Sequence, residues 1–218
     1  MFNITPVVRN LLIANVAIYF ISTSLPFIDQ YFAFFNPVLP GTEELINPNF
    51  KIWQPFTYMF LHGSMGHLFS NMFGLFIFGA SLESFMGSKK FLIYYIITGI
   101  GASLLYAAIN TYDMSNLMVD SQPYMTLALT PMVGASGAIF GILAAYGILF
   151  PNTEILILPI PFPIKAKYYV ILYGLYETYS GIHGLSAGIA HFAHVGGLVV
   201  GYILLKFFGF DKQRNSWY

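Results

Sequence analysis

The sequence predicts an all-α membrane protein, built as a bundle of six transmembrane helices with both termini in the cytoplasm. Of the 218 residues, 57% are hydrophobic and 8% are charged, and the mean hydropathy is +0.68. Because a soluble chain carries roughly 25% charged residues, this chain has too few to cover a globular surface. The spacing of the apolar segments and of the basic residues gives the number of helices and their orientation.

Six segments are apolar enough to cross a membrane, which takes about 20 mostly apolar residues. Their approximate bounds are 10–27, 64–86, 91–110, 133–150, 167–180 and 188–208. The first follows Arg9 and could be read as a signal peptide, but no convincing small-x-small cleavage site comes after it, and we interpret it as a retained helix. The fifth is short and carries Glu177 near its end, which makes it the weakest by composition.

The basic residues orient these helices. With six spans, Lys51 falls on one side of the membrane and every other basic residue falls on the opposite side. The residues on that opposite side are Arg9, Lys89, Lys90, Lys165, Lys167, Lys206, Lys212 and Arg214. The positive-inside rule makes their side cytoplasmic. Because the alternation would fail if one helix were absent, it also supports the weak fifth span.

Two connections have a recognisable character, and neither is a separate domain, so we interpret residues 1–218 as one membrane domain. The external loop 28–63 is rich in aromatic residues, which favours short irregular pieces or an interfacial helix at the headgroup level. The internal run 151–166 contains several prolines and predicts a stiff linker.

The composition excludes several classes of function. There is no cysteine, which removes disulfides and thiolate catalysis. The formal net charge is zero and the basic residues form no cluster, so nothing indicates nucleic-acid binding. We expect the lipid bilayer as a partner, and no nucleic acid, cofactor or metal.

Three of the predicted helices carry polar side chains at one shallow depth. His67 and Asn71 share a face of the second helix, Ser136 lies on the fourth and His194 on the sixth. Since these helices all run from outside to inside, the four groups lie near the external surface. Polar groups in hydrocarbon are costly and are functional candidates for that reason.

Stripes of small residues lie beside Ser136 and His194 on their helices. They are Gly137, Gly141 and Ala145 on the fourth helix, and Ala193, Gly197 and Gly201 on the sixth. Such stripes let helices approach closely in lipid, which would bring Ser136 and His194 within the hydrogen-bond reach of a base-activated nucleophile. No acidic residue lies near His194 on its own helix, so we expect a Ser–His dyad without a carboxylate. His67, Asn71 and the Ser136 backbone N–H are candidate oxyanion donors.

At these residues the sequence resembles the rhomboid family of intramembrane serine proteases, in its bacterial six-helix form. The matches are Gly134-Ala135-Ser136-Gly137 to GxSG, His67-x-x-x-Asn71 to HxxxN, and Ala193-His194-x-x-Gly197-x-x-x-Gly201 to AHxxGxxxG. Each motif is weak alone, but all three in order on alternate helices are specific. The resemblance runs from the first predicted helix to the last.

The resemblance implies Ser136 as nucleophile, His194 as general base, and an oxyanion hole lined by His67 and Asn71. It implies transmembrane proteins as substrates, cleaved near the external face through an acyl-enzyme intermediate, and a multi-pass protein of the cell membrane, expected to be a bacterial inner membrane. It also implies that the loop 28–63 is embedded in the membrane, and that the fifth helix with the loop 181–188 gates the site. The candidate gate residues are Tyr169, Tyr173 and Tyr176.

The chain departs from the family pattern at two positions. Gln54 follows Trp53 where the family often has arginine, and Phe140 stands where a tyrosine commonly packs on the catalytic imidazole. The first change affects how the external loop is held. The second still allows a ring to stack on the histidine but loses the hydrogen bond of the hydroxyl.

Other interpretations of these residues stay open. Ser136 could be a packing residue, and His67 with Asn71 could join helices. The histidines 62, 67, 191 and 194 could bind a metal, although the HExxH pattern of zinc proteases is missing, and we expect only a minor orienting role for His191. The rival functions are a non-catalytic relative that binds membrane proteins and a proton-coupled transporter. The apolar inner halves of the fourth and sixth helices argue against transport.

Overall fold

Helices form most of the fold in the computed structural model, which describes residues 4–25, 27–156, 162–184 and 190–210. The helices are α1 (Pro6–Ser24), α2 (Phe27–Phe32), α3 (Gln54–Thr57), α4 (Met65–Gly74), α5 (Ala80–Met86), α6 (Ser88–Ser115), α7 (Gln122–Leu129), α8 (Ser136–Leu149), α9 (Ala166–His183) and α10 (His191–Phe207). A 3₁₀ turn, Tyr58–Phe60, follows α3. A π-helical turn, Leu75–Gly79, joins α4 to α5.

Each of the six predicted apolar segments overlaps helical residues, and the second covers α4, the π-helical turn and α5. Within the described ranges, three helices are long and apolar enough to cross a membrane, and two shorter ones are also apolar. The three are Pro6–Ser24, Met65–Met86 and Ser88–Ser115, and the shorter two are Ser136–Leu149 and His191–Phe207. The total of six spans and the cytoplasmic position of both termini stay predictions.

Helix α8 lies at the centre of the bundle and packs against α6, α9 and α10. A Cβ atom added at Gly201 of α10 would lie 2.7 Å from the Cα of Gly141 on α8. One added at Gly137 would lie 2.7 Å from the Cβ of Ala102 on α6. The predicted close contact between the two small-residue stripes is therefore present, and α6 packs on another side of α8.

The loop between α1 and α4 consists of short pieces, as predicted, and Gln54 ties them together. Its amide group donates to the carbonyl oxygens of Asn49 at 2.9 Å and Tyr31 at 3.3 Å. Its Oε1 accepts the backbone N–H of Phe35 at 3.3 Å, and Trp53 Nε1 also donates to Tyr31 at 3.0 Å. Glutamine thus supplies both donors and an acceptor at the position where the family pattern often has arginine.

The linker predicted over residues 151–166 contains a short pair of strands that the sequence analysis did not predict. Strand β1 (Glu154–Ile155) pairs antiparallel with β2 (Ile164–Lys165), while residues 157–161 lie outside the described ranges. Pairing satisfies backbone groups that a linker would leave to water. Two-residue strands are too short to produce an alternating pattern, so hydrophobic periodicity could not reveal them.

Glu83 fastens the start of α1 to the connection between α5 and α6. Its two carboxylate oxygens accept the backbone N–H groups of Val7 at 3.0 Å and Val8 at 2.9 Å, and Ser88 Oγ donates to it at 2.6 Å. N–H groups in the first turn of a helix have no partner within the helix, and a negative charge near that end is stabilising. The acidic side chain thus has a structural role.

We expect Glu83→Ala to lower the free energy of unfolding by about 2 kcal/mol, because hydrogen bonds to a charged group are lost. The measurement is the midpoint of thermal unfolding in detergent. Ser84→Ala is the matched control, since the exposed Ser84 hydroxyl bonds to Ala80 of its own helix. Equal midpoints for the two variants would contradict this role of Glu83.

Candidate active site

The predicted polar residues meet at one end of the bundle, where the N-terminal turns of α4, α8 and α10 lie together. Ser136 is the first residue of α8, while His67 and His194 lie in the first turns of α4 and α10. Ser136 Oγ is 2.8 Å from His194 Nε2. The structure therefore brings together the hydroxyl and the imidazole that the sequence placed on separate helices.

Phe140 fixes the plane of the His194 ring. The two rings are stacked, with centroids 4.2 Å apart and an angle of 7° between their planes. Phe140 also contacts Tyr173 of α9, at 4.9 Å between centroids. The phenyl ring thus stacks as predicted at the position where the family commonly has tyrosine.

A carboxylate contacts His194, a contact that the sequence analysis did not anticipate, and the Ser–His dyad stays a prediction. Glu177 of α9 is 3% exposed, and its Oε2 lies 2.8 Å from His194 Nδ1 and 2.7 Å from His191 Nδ1. The sequence argument considered acidic residues on the helix of His194 alone, whereas this one comes from a neighbouring helix. An acidic residue inside an apolar segment was itself a signal that could have found it.

His191 is also more involved than predicted. It is 5% exposed, which places it in the interior, and it shares one carboxylate oxygen of Glu177 with His194. Its position one turn before His194 on α10 brings both Nδ1 atoms to the same acceptor.

The atoms of Glu177, His191 and His194 that could ligate a metal lie within 4.8 Å of one another. Their N···O distances of 2.7 and 2.8 Å are typical of charge-assisted hydrogen bonds. Ligands of a tetrahedral zinc ion, with bonds of about 2.0–2.1 Å, lie roughly 3.3 Å apart. We therefore interpret the cluster as a hydrogen-bond network, and the expectation of no metal stays a prediction.

Gly134 makes room for His67 beside the serine. Its φ of +123° is unfavourable for any residue with a side chain. A Cβ atom there would lie 2.7 Å from both Cε1 and Nε2 of His67 and 3.7 Å from Ser136 Oγ. Glycine at this position therefore allows the imidazole of α4 to approach the start of α8.

Asn71 lies one turn after His67 and lines the same cavity as Ser136. Its Nδ2 donates to the His67 carbonyl oxygen at 3.1 Å, so part of its hydrogen-bonding capacity is used within α4. The ring of His62, before α4, lies 5.1 Å from that of His67. Burial, with a smaller effect of His67, lowers the pKa of His62 to about 4, so its ring is neutral at pH 7.

A cavity of about 1230 Å³ opens in front of these residues, between α4 on one side and α8, α9 and α10 on the others. The site residues that line it are His67, Asn71, Ser136, Glu177, His191 and His194. The predicted gate residues Tyr169, Tyr173 and Tyr176 line it as well. Residues 185–188 of the predicted loop 181–188 lie outside the described residues, and α9 continues through the start of this loop to His183.

Comparison with known proteins finds relatives in the rhomboid family. The Rhomboid domain family model matches residues 49–209. The chain is 38% identical to Rhomboid protease AarA of Providencia stuartii over 153 residues, which are 67% of this chain and 52% of that protein. It is 32% identical over 182 residues to RHOMBOID-like protein 6, mitochondrial, of Arabidopsis thaliana, covering 80% of this chain and 51% of that protein.

A yeast protein, Rhomboid protein 1, mitochondrial, of Saccharomyces cerevisiae, is 29% identical over 158 residues, covering 72% of this chain and 42% of that protein. The chain spans about half the length of the curated relatives it matches.

Gly197 of α10 tests the helix contact on which the Ser136–His194 distance depends. A Cβ atom at Gly197 would collide with the carbonyl oxygen of Gly137 on α8. We expect Gly197→Leu to push the helices apart and to abolish labelling of Ser136 by a fluorophosphonate, which reacts with base-activated serines. The control is Val199→Leu, on an exposed face of the same helix. Wild-type labelling of the Gly197 variant would refute the argument from helix contact.

Proposed function

This chain belongs to the rhomboid family of multi-pass membrane proteins, and from that membership we propose that it is an intramembrane serine endopeptidase. Its substrates are transmembrane segments of other proteins, cleaved near the external face of the membrane. The observation that carries the proposal is the 2.8 Å distance between Ser136 Oγ and His194 Nε2. This is the distance that a general base needs to activate a serine.

In the first half of the reaction, Ser136 Oγ attacks the carbonyl carbon of the scissile bond while His194 Nε2 takes the hydroxyl proton. The negative charge that develops on the carbonyl oxygen needs hydrogen-bond donors. His67 and Asn71 supply side-chain donors, and the Ser136 backbone N–H is a third candidate. Because Ser136 begins α8, this N–H belongs to the first turn of a helix, where backbone donors have no partner in the helix.

In the second half, His194 gives the proton to the leaving amine and the C–N bond breaks. Water then hydrolyses the acyl-enzyme, with the same imidazole as base. The substrate must first unwind, because a carbonyl within an intact helix is hydrogen-bonded and shielded by neighbouring side chains. We therefore expect substrates with helix-breaking residues just beyond the cleaved bond and small residues at it.

Substrates reach the site laterally, between α4 and α9. Support comes from the cavity, which has walls of apolar residues from α4 and tyrosines from α9. Tyr169, Tyr173 and Tyr176 are the proposed gate, and Tyr173 also contacts Phe140, which stacks on His194. Movement of α9 would therefore shift Tyr173 and, through Phe140, the ring of His194.

The proposed location is a bacterial inner membrane, supported by similarity to the protein of Providencia stuartii. Two other relatives are named as mitochondrial proteins. Those names describe the location of the relatives and do not decide the location of this chain.

A fluorophosphonate probe and a transmembrane substrate test the activity. We expect the purified wild type to be labelled and to cleave the substrate, and Ser136→Ala and His194→Ala to lose both, because neither variant has an activated hydroxyl. Ser103→Ala is the control, since its buried hydroxyl bonds to Ile100 of its own helix. Folded wild type that is neither labelled nor active would instead favour the rival function, a rhomboid-like protein that binds membrane proteins without cleaving them.

The oxyanion role of Asn71 predicts a loss in the chemical step. We expect Asn71→Leu, which keeps the size of the side chain, to lower kcat about 100-fold with little change in KM, because one donor to the oxyanion is removed. Phe69→Leu, on an exposed face of the same helix, serves as the control. An unchanged kcat for the Asn71 variant would remove this residue from the mechanism.

A further inference from the structure

We propose that Glu177 is a positioning residue that holds His194 in the tautomer and orientation required of the base, so that the site works as a Ser136–His194–Glu177 triad. This inference rests on the proposed function and deepens it. It assigns a role to a side chain that the sequence motifs do not contain.

The contacts of His194 are the first step of the argument. Its two ring nitrogens have different partners, with Nε2 at 2.8 Å from Ser136 Oγ and Nδ1 at 2.8 Å from Glu177 Oε2. An ionised carboxylate can only accept hydrogen bonds. Nδ1 therefore carries the hydrogen, and the lone pair of Nε2 faces the serine hydroxyl.

The second step concerns the state of the carboxylate. The same oxygen, Oε2, receives Nδ1 of both His191 and His194. A protonated Oε2 could donate to only one of them and would place the wrong tautomer there. Two short contacts to one buried oxygen fit an anion with two N–H donors, and such bonds are stronger than neutral ones. His191 thus helps to keep Glu177 ionised and aimed at His194.

The third step is that stacking alone is insufficient. Phe140 lies parallel to the His194 ring and fixes its plane. A flat hydrocarbon face cannot choose which nitrogen carries the proton, nor stabilise a positive charge by hydrogen bonding. Glu177, at the edge of the ring, does both.

The Nδ1 proton stays on His194 throughout, and only the proton on Nε2 is transferred. When Oγ of Ser136 bonds to the carbonyl carbon, the π electron pair moves to the carbonyl oxygen and the hydroxyl proton moves to Nε2. The resulting imidazolium is stabilised by the carboxylate through Nδ1–H, which remains on nitrogen. Nε2 then protonates the departing amine as the C–N bond breaks, and the imidazole is neutral again.

Other titratable groups surround this pair. His67 of α4 interacts electrostatically with His194, and His191 lies on the same helix as His194. Tyr169 and Tyr173 of α9 interact electrostatically with Glu177. These groups are unchanged in the variants below, so differences between variants report on the carboxylate.

Glu177→Gln is the main test, in full-length protein with a transmembrane peptide substrate. The amide can donate to Nδ1 and so favour the tautomer with hydrogen on Nε2, which cannot act as a base. We expect kcat to fall about 100-fold or more, as for loss of a general base, with KM unchanged. We also expect the acid limb of the pH profile to move to lower pH, because the imidazolium has lost its anionic partner.

Two further variants separate this role from a structural one. Glu177→Asp keeps the charge on a shorter side chain, and we expect it to recover part of kcat and the wild-type acid limb. Thr178→Val is the matched control, because the Thr178 hydroxyl bonds to Gly174 of its own helix, and we expect wild-type activity. If Glu177→Gln does not fold, Glu177→Asp decides the question. A wild-type kcat in Glu177→Asp overturns the positioning role. A reduced kcat with unchanged KM and an unchanged acid limb supports that role.

The outcomes distinguish this inference from the proposed function. Wild-type kcat and pH profile in Glu177→Gln, together with labelling and cleavage that depend on Ser136, overturn the triad and leave the peptidase intact. An inactive and unlabelled wild type overturns both. Wild-type activity that is lost with EDTA and restored by Zn²⁺ would assign the cluster to a metal and also overturn the triad.

Discussion

The distance between α8 and α10 determines whether Ser136 and His194 can form a hydrogen bond, and the proposed chemistry depends on that bond. These helices approach closely because glycines face each other along the contact, and Gly197 leaves no space for a side chain against the Gly137 carbonyl. In lipid, such contacts rest on van der Waals packing and hydrogen bonds, since apolar burial gives no advantage over the lipid chains. The close approach of the helices places Ser136 Oγ 2.8 Å from His194 Nε2. A wider separation would leave two isolated polar groups in an apolar bundle.

Buried acidic side chains have two distinct uses in this bundle. Glu83 accepts hydrogen bonds from the first turn of α1 and from Ser88, which joins secondary-structure elements. Glu177 instead accepts from two histidines beside the proposed nucleophile. Both carboxylates are satisfied by nearby donors, as burial of a charge requires. The two carboxylates differ in their partners. The backbone amides bound by Glu83 do not change protonation state, whereas the imidazoles bound by Glu177 can gain and lose protons.

The motif residues were predictable because each motif is local. Small residues at a spacing of four predicted the contact of α8 with α10, and the charge pattern placed the polar groups of alternate helices at one depth. This reasoning did not identify the contact of Glu177 with His194, because the distance between α9 and α10 cannot be predicted from the sequence of either helix alone. It did not identify the role of Gln54 either, because that role depends on backbone groups of Tyr31, Phe35 and Asn49.

The amino-acid sequence alone determined the membrane class, the positions of the six long apolar segments and the motif residues proposed for catalysis, because hydropathy and small-residue spacing are properties of contiguous segments. The tertiary structure alone decided which side chain orients which. It placed a carboxylate from α9 on the far nitrogen of His194 and an imidazole from α4 against Gly134. The physical reason is that hydrogen bonds act over about 3 Å, a distance fixed by how the helices pack and by no pattern within one of them.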